Sequence, residues 1–330
     1  SAMRLRLTAI TLSVLLTAAA AWAGPVEPGL VSADAKWVAH LDVKALLKSP
    51  VGELLLEKLR EEPTRTKLAE FVSVFGFDPR HDLQAVTLWG TGYEPDEGVV
   101  ALTGTFDKDK LLGLLAQNEH YKQFEHGDYV LHRWRQEPEG RKDDGIRFGT
   151  FVRKDLALVT RDKEMLAGAL DQLAKEDGTL AGRDAPALLP ELSEDTFLFA
   201  RGVDLAAAAK TKRKADARWM KLLSSGLMEL GQTGQTLFVV TRLNTINAEN
   251  GARLRETLTG LRAMAQLHLA ATEDKDRPMP PWAPLLDAIR IGGEGTVATV
   301  RMEMEQSAAV EMAEQMRRAR PADRRAAPEE

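Results

Sequence analysis

"LVSADAKWVAHLDVKALL", residues 30 to 47, is the stretch on which the fold turns. Within it, "KWVAHLDV" (36 to 43) alternates or runs apolar like a half-buried strand, whose successive side chains point to opposite faces. A second stretch, "ELSEDTFLFARGVDLAAA" at 191 to 208, can be laid on the first. Ser32 meets Ser193, Asp34 meets Asp195 and Ala39 meets Ala200; with a one-residue slip, Asp42 meets Asp204. This self-similarity predicts a tandem duplication, one unit in each half of the chain.

The segments downstream of the two copies are also alike. After the first, Ser49 and Pro50 announce a helix, with Val51, Leu54, Leu55 and Leu59 on one stripe. A strand pair, "LQAVTLWG" (83 to 90) and "GVVALTGTF" (98 to 106), comes next. Asp107 then caps a helix that Phe106 can staple onto Leu111, and Asn118 offers a stop. Strands "GIRFGTFV" and "DLALVT" lead into a helix from Asp162 with Leu166, Ala169, Leu170 and Leu173 inward. After the second copy, "TLFVVTRLNT" leads into a helix carrying Leu254, Leu258, Leu261 and Ala265, and "TVATVRMEM" into "SAAVEMAEQMRRA".

Each half therefore reads strand, helix, two strands, helix, further strands, helix. This order predicts the α+β class: two tandem related units, each a mostly antiparallel sheet with helices on one face, in the ferredoxin-like split βαβ pattern. The first unit is placed at 24 to 180 and the second at 196 to 316. A Gly- and Pro-rich linker at 181 to 195 joins them, and a charged tail at 317 to 330 is expected to be mobile.

The first 23 residues read as a leader. Ser1 and Ala2 look like a cloning remnant, after which Arg4 and Arg6 precede the apolar "LTAITLSVLLTAAAA" and the small-residue site "AWA". At ~1.5 Å per residue the apolar run is too short for the roughly 30 Å core of a bilayer. The reading is a secretory signal peptide, an exported periplasmic or extracellular chain, and no transmembrane segment after cleavage. A cysteine-free exported chain has neither disulfides nor an acylated cysteine, so packing alone must hold it. Its formal charge of −5 opposes nucleic-acid binding.

Three constellations invite a chemical reading. His120, His126 and His132 are evenly spaced, but Gly127–Asp128 is a hairpin signal that pairs Gln123 with His132 and Phe124 with Leu131. His120 and His126 then lie on one face about 20 Å apart and His132 on the other, which no single zinc ion can bridge. His40 and Asp42 share a strand face and could supply two metal ligands or a base with its orienting carboxylate; the alternative is an interior histidine beside a helix cap. The basic run "KTKRKADARWMK" places Lys210, Lys212, Arg213, Lys214, Arg218 and Trp219 together, suited to lipid headgroups, acidic polysaccharide or an acidic partner, or else to a solvated helix face.

Motifs for a nucleophilic serine, a zinc protease or a phosphate loop are missing, and no cofactor is expected. The reading is an exported, non-enzymatic binding or scaffold protein of the cell envelope, with an envelope protein or an anionic surface as partner. The alternatives are a periplasmic hydrolase using acidic residues or the His40/Asp42 pair, and an anionic-surface binder acting through residues 210 to 221.

Overall fold

The computed structural model describes residues 26–94, 97–136, 145–175, 177–182, 188–208, 217–271 and 282–319. Residues 1 to 25, which include the stretch read as a leader, and residues 320 to 330 of the tail lie outside them. The fold is mixed α+β, built on one antiparallel sheet.

In the first half the strands are β1 (Trp37–Asp42), β2 (Leu83–Gly90), β3 (Val99–Gly104), β4 (Lys122–His126), β5 (Tyr129–Arg135), β6 (Ile146–Arg153) and β7 (Leu156–Thr160). In the second they are β8 (Thr196–Val203), β9 (Leu223–Thr233), β10 (Thr236–Thr245), β11 (Ile289–Gly292) and β12 (Val297–Glu305). All twelve form one sheet in the order β11-β12-β10-β9-β8-β1-β2-β3-β7-β6-β5-β4. The halves meet where β1 pairs with β8, and Ala39 lies directly opposite Ala200.

Outward from that seam, the order is β1, β2, β3, β7, β6 on one side and β8, β9, β10, β12, β11 on the other. The first half adds the hairpin β5–β4 at its edge. That hairpin has the expected register, with Phe124 opposite Leu131 and Gln123 opposite His132. Gly127 supplies the positive φ of 56° its turn requires, as Gly234 does at 57° between β9 and β10.

The ferredoxin-like pattern does not hold. A split βαβ unit needs parallel strands joined by crossovers, whereas every pair here is antiparallel. The order of helices and strands along a chain cannot distinguish a helix that crosses over from one that returns to the adjacent strand. The segment between β1 and β2 does the latter, through helices α1 (Val43–Lys48), α2 (Pro50–Leu59) and α3 (Thr64–Phe75).

Helices also lie on both faces of the sheet rather than on one. Val38 and Leu41 of β1 point to opposite faces and belong to separate cores. On the Val38 face, Trp89, Val99, Leu131 and Leu158 pack under Leu166, Ala169 and Leu170 of α5 (Lys163–Leu173) and under Leu30 and Val31. The intervening helix, α4, is Lys108–Leu115. Burying Leu166 and Leu170 should contribute about 1.5–3 kcal/mol each. On the opposite face, Leu41, Val43 and Leu46 pack with Val51 and Leu55 of α2 and with Val86 and Leu102 of the sheet.

The helix caps are those expected from short side-chain oxygens beside free amides. Asp42 accepts from the Ala45 amide, Ser49 from Gly52, Asp107 from Lys110 and Asp162 from Met165. Phe106 packs against Phe77 and Phe151, with centroids 5.6 and 5.9 Å away.

Candidate binding surface

Because the sheet is antiparallel, residues directly opposite one another share a face, and register alone traces rows across the strands. From Ala39 one row passes through Leu88, Val100 and Val159. In the other direction it passes through Ala200, Met228, Thr241 and Val300. It crosses eight strands, and at ~4.8 Å per strand extends about 34 Å. No side chain in it is charged.

Seven of these eight residues are part-exposed and Met228 is 42% exposed. Their sequence neighbours on the Val38 face, including Thr87, Val99, Leu158, Phe199 and Leu227, are buried. Neither core contains Leu88, Val100, Val159, Met228 or Val300. Met228 is the exposed member of this uncharged row; the other seven are partly covered, and among the described residues α8 (Ala248–Ala271) packs on its β10 and β12 end.

Walls stand on both sides of it. Two residues along each strand, roughly 7 Å away, the row Leu102, Val86, Leu41, Leu198, Leu230 lies beside α1 and α2. In the other direction the row Gly90, Trp37, Gly202, Gly226 carries a raised layer. A Cβ on Gly90 would approach the Trp37 indole to 2.7 Å, and one on Gly202 would meet Leu205 of α6 (Leu205–Ala208) at 3.0 Å and the Tyr93 hydroxyl at 3.1 Å. The glycines are what let Trp37 and Leu205 lie against the sheet. The Trp37 indole is fixed by donating to the Gly92 carbonyl at 2.7 Å, and the Tyr93 hydroxyl donates to the carbonyls of Val203 and Lys36. Burial, reinforced by the Asp204 carboxylate, pushes the Tyr93 pKa up to about 12, so it stays a donor. The uncharged row is thus the floor of a groove running across the strands.

On the opposite face in the second half, Glu229 is fully buried. It accepts from the Ser193 amide at 2.6 Å, from the Thr196 hydroxyl at 3.0 Å and from the Arg242 guanidinium. The segment that precedes β8 is thereby held over this face.

The site residues named from sequence fall in several places. His40 is buried beside Phe199, and its Nδ1 lies 2.8 Å from the Thr87 hydroxyl; burial pushes its pKa down to about 4, against the pull of Asp42. Asp42 caps α1. Among the described residues no group of three or more His, Asp or Glu side chains is placed to hold a metal. His132 pairs with Tyr121 at 2.9 Å and His126 with Asp171 at 2.8 Å.

Lys210, Lys212, Arg213 and Lys214 lie outside the described residues. Arg218 and Trp219 fall in helix α7 (Ala217–Met220), with Trp219 about half exposed. Leu261, one of the four apolar residues named on this helix from sequence, is 57% exposed on α8 (Ala248–Ala271), and Met264 and Leu267 are exposed to 67% and 71%. Helix α9 (Ala283–Ala288) packs beside α8 and β12.

A second concavity of about 600 Å³ lies between α2 and the start of α10 (Gln306–Ala319). Its lining offers the carboxylates of Glu305, Glu311 and Glu314 but no histidine. Glu305 accepts from the Thr236 hydroxyl, and Glu314 lies 3.5 Å from Lys58. No helix among the described residues is long and apolar enough to cross a membrane.

No protein-family model matches the chain, and no curated protein matches it. Among solved structures it is similar to crystal form IV of TP0453, at 8% identity and a TM-score of 0.44, with 88% of this chain and 97% of that chain covered. Crystal form I of the same protein aligns at 10% identity and a TM-score of 0.42, over 89% of this chain and 99% of that chain.

Proposed function

We propose that this chain is an exported binding or scaffold protein of the cell envelope that acts by contact rather than chemistry, through the groove across its sheet. The observation that supports it most directly is the part-exposed, uncharged row through Ala39, Ala200 and Met228, which belongs to neither core. An uncharged row that leaves a methionine 42% exposed on a sheet face suits a place where something else docks. The export half of the proposal rests on Arg4, Arg6, the apolar run behind them and "AWA".

The two halves are read as duplicated units on the strength of the Ala39–Ala200 correspondence and the shared order of five strands outward from the seam. The groove crosses that seam, so both copies contribute to it. The hydrolase alternative draws less support, since His40 is turned to a hydroxyl in the interior and Asp42 to a helix terminus.

The test is co-purification from an envelope extract with the mature chain and its Met228→Glu variant. Molecules retained by the wild type and lost by the variant are the expected result. Equal retention by both, or turnover in an esterase and glycosidase panel, would overturn the proposal.

A further inference from the structure

The chemistry of the groove floor narrows what can lie on it. Each of the eight strands that the row crosses has a bonded neighbour on either side, so its backbone donors and acceptors are committed to the ladders. Thr241 supplies the one hydroxyl in the row, and no amide or charged side chain joins it. A sugar ring or an extended peptide laid there would give up its bonds to water and recover almost none. A hydrocarbon chain has no such bonds to lose, and each methylene it removes from water tightens binding about fourfold.

The shape agrees with that chemistry. The floor is long and narrow, walled by α1 and α2 on one side and by Trp37 and Leu205 on the other, and it is shallowest in side-chain bulk at Ala39 and Ala200. We infer that the groove binds a single acyl chain of one lipid or fatty acid, lying across the strands with its middle on the Ala39–Ala200 pair. This rests on the reading of the groove as the contact surface and adds the class of its ligand. Recognition is of the tail, since the floor presents nothing that distinguishes a carboxylate from an alcohol.

The experiment uses dansyl-labelled undecanoic acid as probe on the full mature chain, with octanoate, dodecanoate, palmitate and hexadecanol as competitors. Saturable probe binding is expected, with competition strengthening from octanoate to palmitate and hexadecanol matching palmitate. Ala200→Trp, which raises the floor at the seam, and Met228→Lys, which puts a charge on it, should each weaken probe binding at least tenfold while the far-ultraviolet dichroism and melting temperature stay at wild-type values.

Absence of saturable binding, competition that ignores chain length, or variants that bind like the wild type would each overturn the inference. So would flotation with phosphatidylcholine vesicles in the absence of binding to monomeric probe, because that pattern belongs to a bilayer surface. Should Met228→Glu abolish capture from the envelope extract while the wild type ignores the probe, the acyl ligand fails and the groove remains the contact surface. Capture indifferent to Met228→Glu removes the contact surface itself.

Discussion

Met228 and Glu229 are neighbours on β9, and their exposures invert the usual rule: the methionine is 42% exposed and the glutamate is fully buried. One residue of displacement on a strand changes the face, and the two faces of this sheet are covered differently. Over Glu229 lies the segment before β8; its Ser193 amide, the Thr196 hydroxyl at the start of β8 and Arg242 of β10 satisfy the carboxylate. Met228 faces the groove. Position in the assembly, rather than the polarity of either side chain, decides which one meets water.

The largest break in that comparison should come from Glu229→Ala. It strips the Ser193 amide and the Thr196 hydroxyl of their acceptor and leaves Arg242 without its counter-charge, so urea unfolding should show a loss of about 3–5 kcal/mol. A loss below about 1 kcal/mol would mean the carboxylate is not holding that segment.

Next in size is an acid effect on the buried face. His40 has a folded pKa of about 4 against an ordinary 6.5, so the unfolded chain takes up a proton that the folded chain refuses. The stabilisation is complete above pH 6.5 and is lost as pH falls from there toward 4, by up to about 3 kcal/mol. His132, also held low by burial and by Lys108, acts in the same direction. His40→Gln should flatten most of that slope in melting curves taken across this window, and an unchanged slope would assign it elsewhere.

Smaller still is Glu27→Gln, which removes a bidentate partner of Arg153 at 2.6 and 2.9 Å. Both side chains are nearly half exposed, so the cost should stay within about 1 kcal/mol and shrink further in salt. The smallest change in stability is expected from Met228→Lys, within about 0.5 kcal/mol in the same urea assay, as befits a side chain outside both cores. A loss of several kcal/mol there would show that the row is core after all.

Local features were the most legible in the sequence. Asp42, Ser49, Asp107 and Asp162 marked helix starts because a short side-chain oxygen has one obvious task beside free amides. Gly127–Asp128 fixed a register, since a two-residue turn leaves no freedom in the pairing beyond it. The correspondence of Ala39 with Ala200 was visible too, though not that the two residues would face one another across one sheet.

Three things were hidden. Helix α3 went unseen because "TRTKLAEFVSVF" has no side-chain cap to announce its start. The groove was missed because a row across eight strands depends on the register between segments far apart in the chain, which local patterning does not encode. The exposure of Leu261 was hidden because α8 is weakly amphipathic and no single stripe along it dominates.

The pairing of β1 with β8 also bears on how the chain can be cut. Strand β1 is central, and its partner begins at Thr196, more than half the sequence away from the start. A truncation ending before Thr196 would leave β1 as a bare, largely apolar edge, a template for pairing with other chains. Either half expressed by itself should therefore aggregate, and the whole chain should melt in one transition, since neither half owns a finished sheet.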